Sequence, residues 1–254
     1  MKKLIKTLFN KIGIVIMSSD NEIFRKPILQ DPFDVQQGFF FAKKELVIFD
    51  VGAQYGQTAF EYSKRFNNSK IYSFEPFRES FNILMDNIRE IPDIQIFNFG
   101  FGDSIGTNKF NCNSFSATNS ILETHEEGIS TWGTNLLETI ETIDINVTTI
   151  DDFVEQQEIN EIDILKIDVQ GYEFNVIQGA HRLILKNGVK VIYLEIIIQP
   201  TYKNQKHLDE VLNLLRSYDF SLYNVYNLSY DSFGSLRQLD AIFISDTYKS
   251  KLFL

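Results

Sequence analysis

The chain has 254 residues, 44% of them hydrophobic and 23% charged, which is ordinary for a soluble globular protein and long enough for one large α/β domain with a good core. Its formal net charge of −10 argues against nucleic acid as a partner, because phosphate binding needs a basic footprint. The single cysteine, Cys112, excludes an internal disulfide and fits a reducing, cytoplasmic setting, and the three histidines lack metal-ligand spacing.

Residues 1–44 read as an N-terminal extension. Leu4, Ile5, Leu8, Phe9 and Ile12 recur at helical spacing, with Lys2, Lys3, Lys6 and Lys11 between them. This short basic amphipathic helix suits packing of its apolar stripe on the domain. Peripheral contact of residues 1–16 with an anionic membrane face is the alternative. Lys11 interrupts the apolar stretch and no small-residue cleavage site follows, so it does not read as a signal peptide. No apolar run approaches the length that spans a bilayer. Pro27 and Pro32 break the rest of the extension, which is expected to cover a ligand site or a subunit interface.

From residue 45 on, strand and helix patterns alternate, the signature of a parallel sheet with crossover helices. The expected strands are Leu46–Asp50, Lys70–Glu75, Ile94–Gly100, Ile162–Asp168, Val189–Ile196, Phe220–Val225 and Ala241–Ser245. Several are continuous apolar runs, as in strands buried on both faces. The expected helices are Gln57–Phe66, Arg78–Glu90, Asp151–Gln157, Glu173–Lys186 and His207–Ser217. Residues 104–146 are polar and weakly periodic. Lys109–Cys112 and Asn146–Ile150 read as short extra strands there, and the middle as a loop that is either a lid or plain surface.

Two strand ends carry the first chemical signal. The first expected strand runs into Asp50-Val51-Gly52-Ala53-Gln54-Tyr55-Gly56, and the second ends in Phe74-Glu75-Pro76. An acid with a glycine loop on one strand, and an acid on the next, are what an open α/β sheet uses to hold an adenosyl group. The glycine spacing is Gly52-x-x-x-Gly56 and not the G-x-G-x-x-G of dinucleotide enzymes. A carboxylate at Asp50 would repel a pyrophosphate. It suits S-adenosylmethionine, which carries an amine and a sulfonium.

The second signal is Ile162-Asp163-Ile164-Leu165-Lys166-Ile167-Asp168-Val169-Gln170-Gly171-Tyr172-Glu173. The strand delivers its polar residues to the carboxyl edge of the sheet, where open sheets bind ligands. Lys166 and Asp168 share a face, since side chains alternate with period two. In a cleft such a pair can do acid–base work; on a surface it is only an ion pair. Glu195 ends the next apolar run and either faces the same cleft or marks where the strand meets water.

Taken together, these pieces resemble the FkbM family of S-adenosylmethionine-dependent methyltransferases. The match runs through Phe49 to Gly56, Phe74-Glu75-Pro76, Gly100-Phe101-Gly102-Asp103, Val147 to Phe153, and Leu165 to Glu173 followed by Gly179-Ala180. The resemblance implies a Rossmann-like α/β fold over residues 45–254. Its sheet would be seven-stranded and mostly parallel, with helices on both faces and an antiparallel last strand. It implies methyl transfer to a hydroxyl of a sugar, glycan or natural product. Carried over, Asp50, Gly52, Gln54 and Gly56 would surround the amino-acid end of the cofactor. Glu75, with Pro76 beside it, would hold the ribose, and Gly102 and Asp103 would border the adenine. Asp168 would lie near the transferred methyl. For direct transfer to a hydroxyl, Asp168 is then the first candidate for the base, with Lys166 tuning it or Glu195 assisting. The family commonly has asparagine where Gln54 stands and glutamate where Gln170 stands. The missing carboxylate argues against a divalent metal, since hard cations want several anionic oxygens. A nucleotide-dependent dehydrogenase and a degenerate partner subunit remain as alternatives, and oligomeric state is left open.

Overall fold

The computed structural model describes residues 31–43 and 45–252. The basic helix expected near Leu4 and the break at Pro27 lie outside the described residues. Asp31 caps the first helix, α1 (Pro32–Phe39), by accepting the Phe33 N–H at 2.8 Å. Pro32 sits in the first turn, where an N–H has no helical partner to lose, so it opens a helix and does not break the segment.

Three strands follow, β1 (Leu46–Val51), β2 (Ser69–Phe74) and β3 (Ile94–Phe97), joined by α2 (Gln57–Arg65) and α3 (Arg78–Ile88). A small second sheet comes next, from β4 (Gly100–Phe101), β5 (Gly106–Asn113) and β6 (Thr139–Thr148). Between its last two strands lie a 3-10 turn (Ser116–Thr118), α4 (Glu126–Trp132) and α5 (Thr134–Leu137). The chain then returns through α6 (Ile150–Gln156), β7 (Ile162–Ile167), α7 (Glu173–Gln178), α8 (His181–Leu185), β8 (Val189–Ile197) and α9 (Leu208–Ser217). It closes with β9 (Phe220–Tyr230), β10 (Leu236–Ser245) and α10 (Asp246–Leu252).

The main sheet has seven strands in the order β3-β2-β1-β7-β8-β10-β9. β1, β2, β3, β7 and β8 pair in parallel, and β10 runs antiparallel to both of its neighbours. All six residues of β7 are buried, as a central parallel strand covered on both faces requires. One face packs on α6 to α9 through Phe153, Val176, Leu183 and Leu215. The other packs on α1 and α2 through Val35, Phe39, Ala59 and Tyr62. The described part of the N-terminal extension therefore covers a sheet face and takes no part in the cavity described below. Among the described residues no helix is long and apolar enough to cross a membrane.

Order reverses about β1, with β2 on one side and β7 on the other, which opens a crevice at the strands' carboxyl ends. The core on the α6 face of the sheet is aromatic. The Phe153 ring meets Phe49, Tyr72, Phe74, Phe97 and Phe101 edge-on, at centroid distances of 5.0–6.2 Å. Each such pair adds about 0.5–1.5 kcal/mol to plain area burial.

Several expected elements change at their ends. The strand expected over Ile94–Gly100 divides between two sheets, because the Asn98 side chain turns back to donate to the carbonyls of Glu75 and Pro76. The helix expected over Glu173–Lys186 breaks at Gly179-Ala180. There the Gly179 backbone packs so tightly on Gly102 that a Cβ would sit 2.0 Å from its carbonyl oxygen. Asp151 then recaps the chain by accepting the N–H groups of Arg182 and Leu183. The expected strand Asn146–Ile150 is the end of a longer one, and Ile150 opens a helix capped by Thr149. Asp240 on β10 pairs with Glu195 on β8.

At the opposite end of the sheet, the fully buried Asp163 accepts hydrogen bonds from Lys43 at 2.6 Å, Lys190 at 2.8 Å and the Val47 N–H at 2.9 Å. It ties the segment after α1 to the starts of β1, β7 and β8. Asp163→Ala strands that N–H and weakens two ammonium pairings, so it is expected to lower unfolding free energy by about 2–3 kcal/mol in urea denaturation. An unchanged midpoint would show that the buried carboxylate contributes nothing net.

Candidate active site

The carboxyl ends of β1, β2, β7 and β8 open into a cavity of about 340 Å³, within the usual size range of small-molecule sites. Its near wall is the loop after β1. Gly52 has φ +80° and lies where a Cβ would meet the Asp168 carbonyl oxygen at 1.8 Å. The glycine is thus required by the chain's own close approach, which brings the ends of β1 and β7 together. Gly56, at φ +89°, starts α2 against Leu84 of α3 and sits behind the cavity lining.

Glu75 leaves the end of β2 and is buried beside this loop. Its two oxygens accept one backbone N–H each, from Gln54 at 2.9 Å and Phe77 at 2.9 Å. Gln54 adopts a left-handed backbone, φ 47°, which aims its N–H at that carboxylate. Burial pushes the Glu75 carboxyl up to about 7, against the pull of the two N–H donors.

The far wall centres on Lys166, whose side chain is only 8% exposed. Its ammonium lies 3.2 Å from Asp50 and 3.5 Å from Asp168, and donates to the Gly52 carbonyl at 3.3 Å. Burial works against the charge, but Asp50 and Asp168 hold the ammonium above its ordinary range. The two ion pairs fix the position of the Lys166 ammonium. Asp50 is fully enclosed, and among the described residues neither of its oxygens has a hydrogen-bond partner beyond that ion pair.

Asp168 lines the cavity, and its side chain is a third exposed. Glu195 stands beside it at the end of β8, bonded to the amide groups of Gln170 at 2.7 Å and Gln238 at 3.2 Å. Burial and then the neighbouring Asp168 push the Glu195 carboxyl well above the ordinary glutamate range. Glu173, in contrast, turns away to accept the N–H groups of Val169 and Gly171 and closes the turn into α7.

The segment 104–146 is the roof. Phe110, Phe115, Ile121, Trp132 and Leu136 line the cavity from it. Latches hold it down. The hydroxyls of Tyr55 and Ser116 are 2.7 Å apart, Ser120 donates to the Gln170 carbonyl at 2.6 Å, and Trp132 donates to Thr201 at 3.0 Å.

Of the residues singled out in the sequence, the structure brings Gly52, Gln54, Glu75, Pro76, Lys166, Asp168 and Glu195 to one cavity. Asp50, Gly56, Gly102 and Asp103 lie outside its lining. Gly102 packs on Val147 and Tyr172, and the Asp103 carboxylate accepts from Asn175. Sequence reasoning passed over Tyr202, Gln238 and Trp132. The only signal for Tyr202 was its place in the loop following Glu195, at the carboxyl edge of the sheet.

The donor set suits an adenosyl cofactor with a positive charge. Each Glu75 oxygen spends one lone pair on the backbone and keeps acceptor capacity for a ribose diol. Among the described residues Lys166 is the one cation in the lining, and it is already paired with Asp50 and Asp168. The family model described as the methyltransferase FkbM domain matches residues 50–222. The hexuronic acid methyltransferase AglP of Haloferax volcanii is 25% identical over 185 residues, covering 70% of each chain. The 2-O-methyltransferase NoeI of Sinorhizobium fredii is 24% identical over 204 residues, 78% of this chain and 82% of its own. Among solved structures, precorrin-6y C5,15-methyltransferase of Geobacter metallireducens GS-15 aligns over 89% of this chain and 94% of its own at 12% identity, with a TM-score of 0.45.

The Glu75 carboxyl sits at about 7 in the fold, against an ordinary value of 4.5. The folded protein thus binds that proton more tightly than the unfolded chain does. The stability it contributes is complete below the ordinary value and is lost as pH climbs through this window. Glu75→Gln removes the titration, so its unfolding free energy should fall less than the wild type's between pH 5 and 8, by up to about 3 kcal/mol. Parallel stability curves would show that Glu75 does not titrate in this range.

Proposed function

The chain belongs to the FkbM methyltransferase family, and from that premise we propose that it moves a methyl group from S-adenosylmethionine to a hydroxyl oxygen, on a sugar or a sugar-like natural product. The observation that carries this reading is the convergence of the Glu75 carboxylate, the Gly52 loop and the Asp168–Glu195 pair on one cavity. The names of the two relatives support the acceptor class, one for hexuronic acid and the other for the 2-O position. The dehydrogenase alternative falls with the family assignment.

Glu75 would accept hydrogen bonds from the ribose hydroxyls. Gln54 and the loop at Gly52 would border the amino-acid end, where the nearby carboxylates favour a cationic ligand. Bound there, S-adenosylmethionine would supply a methyl group already activated on a sulfonium. The protein has then to align an acceptor oxygen, exclude water and take up one proton. Asp168 would perform that last task. It faces the cavity, and Lys166 at 3.5 Å holds its carboxylate in place. Trp132, Phe115 and Leu136 in the roof exclude water above it.

Calorimetric titration with S-adenosylmethionine should give micromolar binding, weakened about 10- to 100-fold by Glu75→Ala through loss of charge-assisted hydrogen bonds. No binding to the folded wild type would overturn the reading. Asp168→Asn should bind the cofactor as the wild type does while its transfer to a sugar acceptor falls about 10²- to 10⁴-fold. Wild-type turnover in that variant would remove Asp168 from the role of base.

A further inference from the structure

Gln170 stands between the two acids at the acceptor end of the cavity. Its backbone is left-handed, φ 56°, which folds the side chain back over the end of β7. One amide nitrogen donates to both carboxyl groups, to Asp168 Oδ1 at 3.0 Å and to Glu195 Oε2 at 2.7 Å. The amide oxygen points the other way and accepts from the Tyr202 hydroxyl at 3.1 Å, a proton shared with the Thr118 carbonyl. The backbone carbonyl of Gln170 is taken by Ser120. In this orientation the amide turns its donors, and not its oxygen, toward Asp168 and Glu195.

The charges around the pair come from every neighbouring element. Lys166 and Asp168 lie at the end of β7, Asp50 on β1, Glu195 on β8 and Asp240 on β10, with Glu173 at the start of α7 and the Tyr202 hydroxyl in the loop after β8. Lys166 is the one cation in this group, and Asp50 already holds it. A third carboxylate in place of Gln170 would add an anion with nothing to balance it. The amide supplies two donors without charge.

We propose that Gln170 is a positioning residue: with one amide hydrogen to each carboxyl it holds Asp168 and Glu195 together as one coupled pair, with Asp168 turned to the cavity where it would take the proton of the acceptor hydroxyl. This rests on the reading of Asp168 as the base. Burial and the adjacent Asp168 both favour the protonated form of Glu195, and Gln238 holds its other oxygen. Gln170 touches no reacting atom; it acts through the two acids.

The test is a pH titration of side-chain carboxyl carbons by NMR, on the full chain labelled at Asp and Glu and without ligand. In the wild type one carboxyl of the pair should titrate well above the ordinary glutamate range. Gln170→Asn keeps an amide tolerant of a left-handed backbone but shortens the arm by one methylene. Loss of N–H donors to the ionised form should raise the pair's midpoint by about one pH unit. The isosteric Gln170→Glu, which keeps the shape and adds an acid, should raise it further and bring a third late-titrating carboxyl. Midpoints unchanged in a folded variant of either kind would overturn the proposal. The titration needs no cofactor, so the two readings fail separately. Absence of S-adenosylmethionine binding would sink the methyl-transfer reading alone, and unchanged midpoints alongside tight binding would sink only the role of Gln170.

Discussion

A buried ammonium holds this site together. Lys166 is nearly closed off from water, and an unpaired charge in such a place would cost several kcal/mol. It is tolerated because Asp50 and Asp168 face it from the ends of adjoining strands, at 3.2 Å and 3.5 Å. Asp50 and Lys166 are register partners across β1 and β7, so the sheet itself sets the first of these distances. The second depends on Gly52, whose missing side chain lets the Asp168 backbone pass close by. From the position of Asp168 follow those of Gln170, Glu195 and the roof segment latched to them.

The cavity collects acids, yet each is handled by different local chemistry. Glu75 receives two backbone N–H groups and remains available at its outer lone pairs. Glu173 is also given two N–H donors, but both go to one oxygen and serve to close a turn. Glu195 is held by two side-chain amides and raised by burial beside a second acid. Asp168 alone combines cavity exposure with a direct cation neighbour. Carboxyl groups are thereby given different environments by their surroundings, one bonded to backbone at the cavity wall, one closing a turn and two paired beside a cation.

The roof shows how a polar, weakly periodic segment becomes ordered. The strands β5 and β6 pair over eight residues of β5 and carry a small apolar core of Phe110, Cys112, Ile145 and Val147. That core is too small to stand alone. Hydrogen bonds to distant parts of the chain complete it, from Tyr55 to Ser116, Ser120 to Gln170 and Trp132 to Thr201. The segment covers the cavity because its partners are the loops at the sheet's carboxyl edge.

The order of elements was legible in the sequence, because continuous apolar runs and helical spacing reflect burial on a parallel sheet whatever the final contacts are. The acids at the ends of apolar runs, Asp50, Glu75, Asp168 and Glu195, were legible for the same reason: a strand's end marks where a buried backbone meets a cleft. What lay beyond reach was set by contacts between residues far apart in the chain. The break at Gly179 depends on Gly102, 77 positions earlier, and the division of β3 from β4 depends on Asn98 reaching back to Glu75. Asp50 read as a ligand-facing carboxylate, but only the packed sheet shows that Lys166 stands between it and the cavity. Gln170 read as the loss of a charge; the fold makes it a bridge, since its partners Glu195 and Tyr202 come from a later strand and loop. Local pattern thus determined which elements form and which strand ends carry chemistry. Tertiary structure alone decided which of those side chains meet, because meeting is a matter of register, close backbone approach and the direction of each side chain.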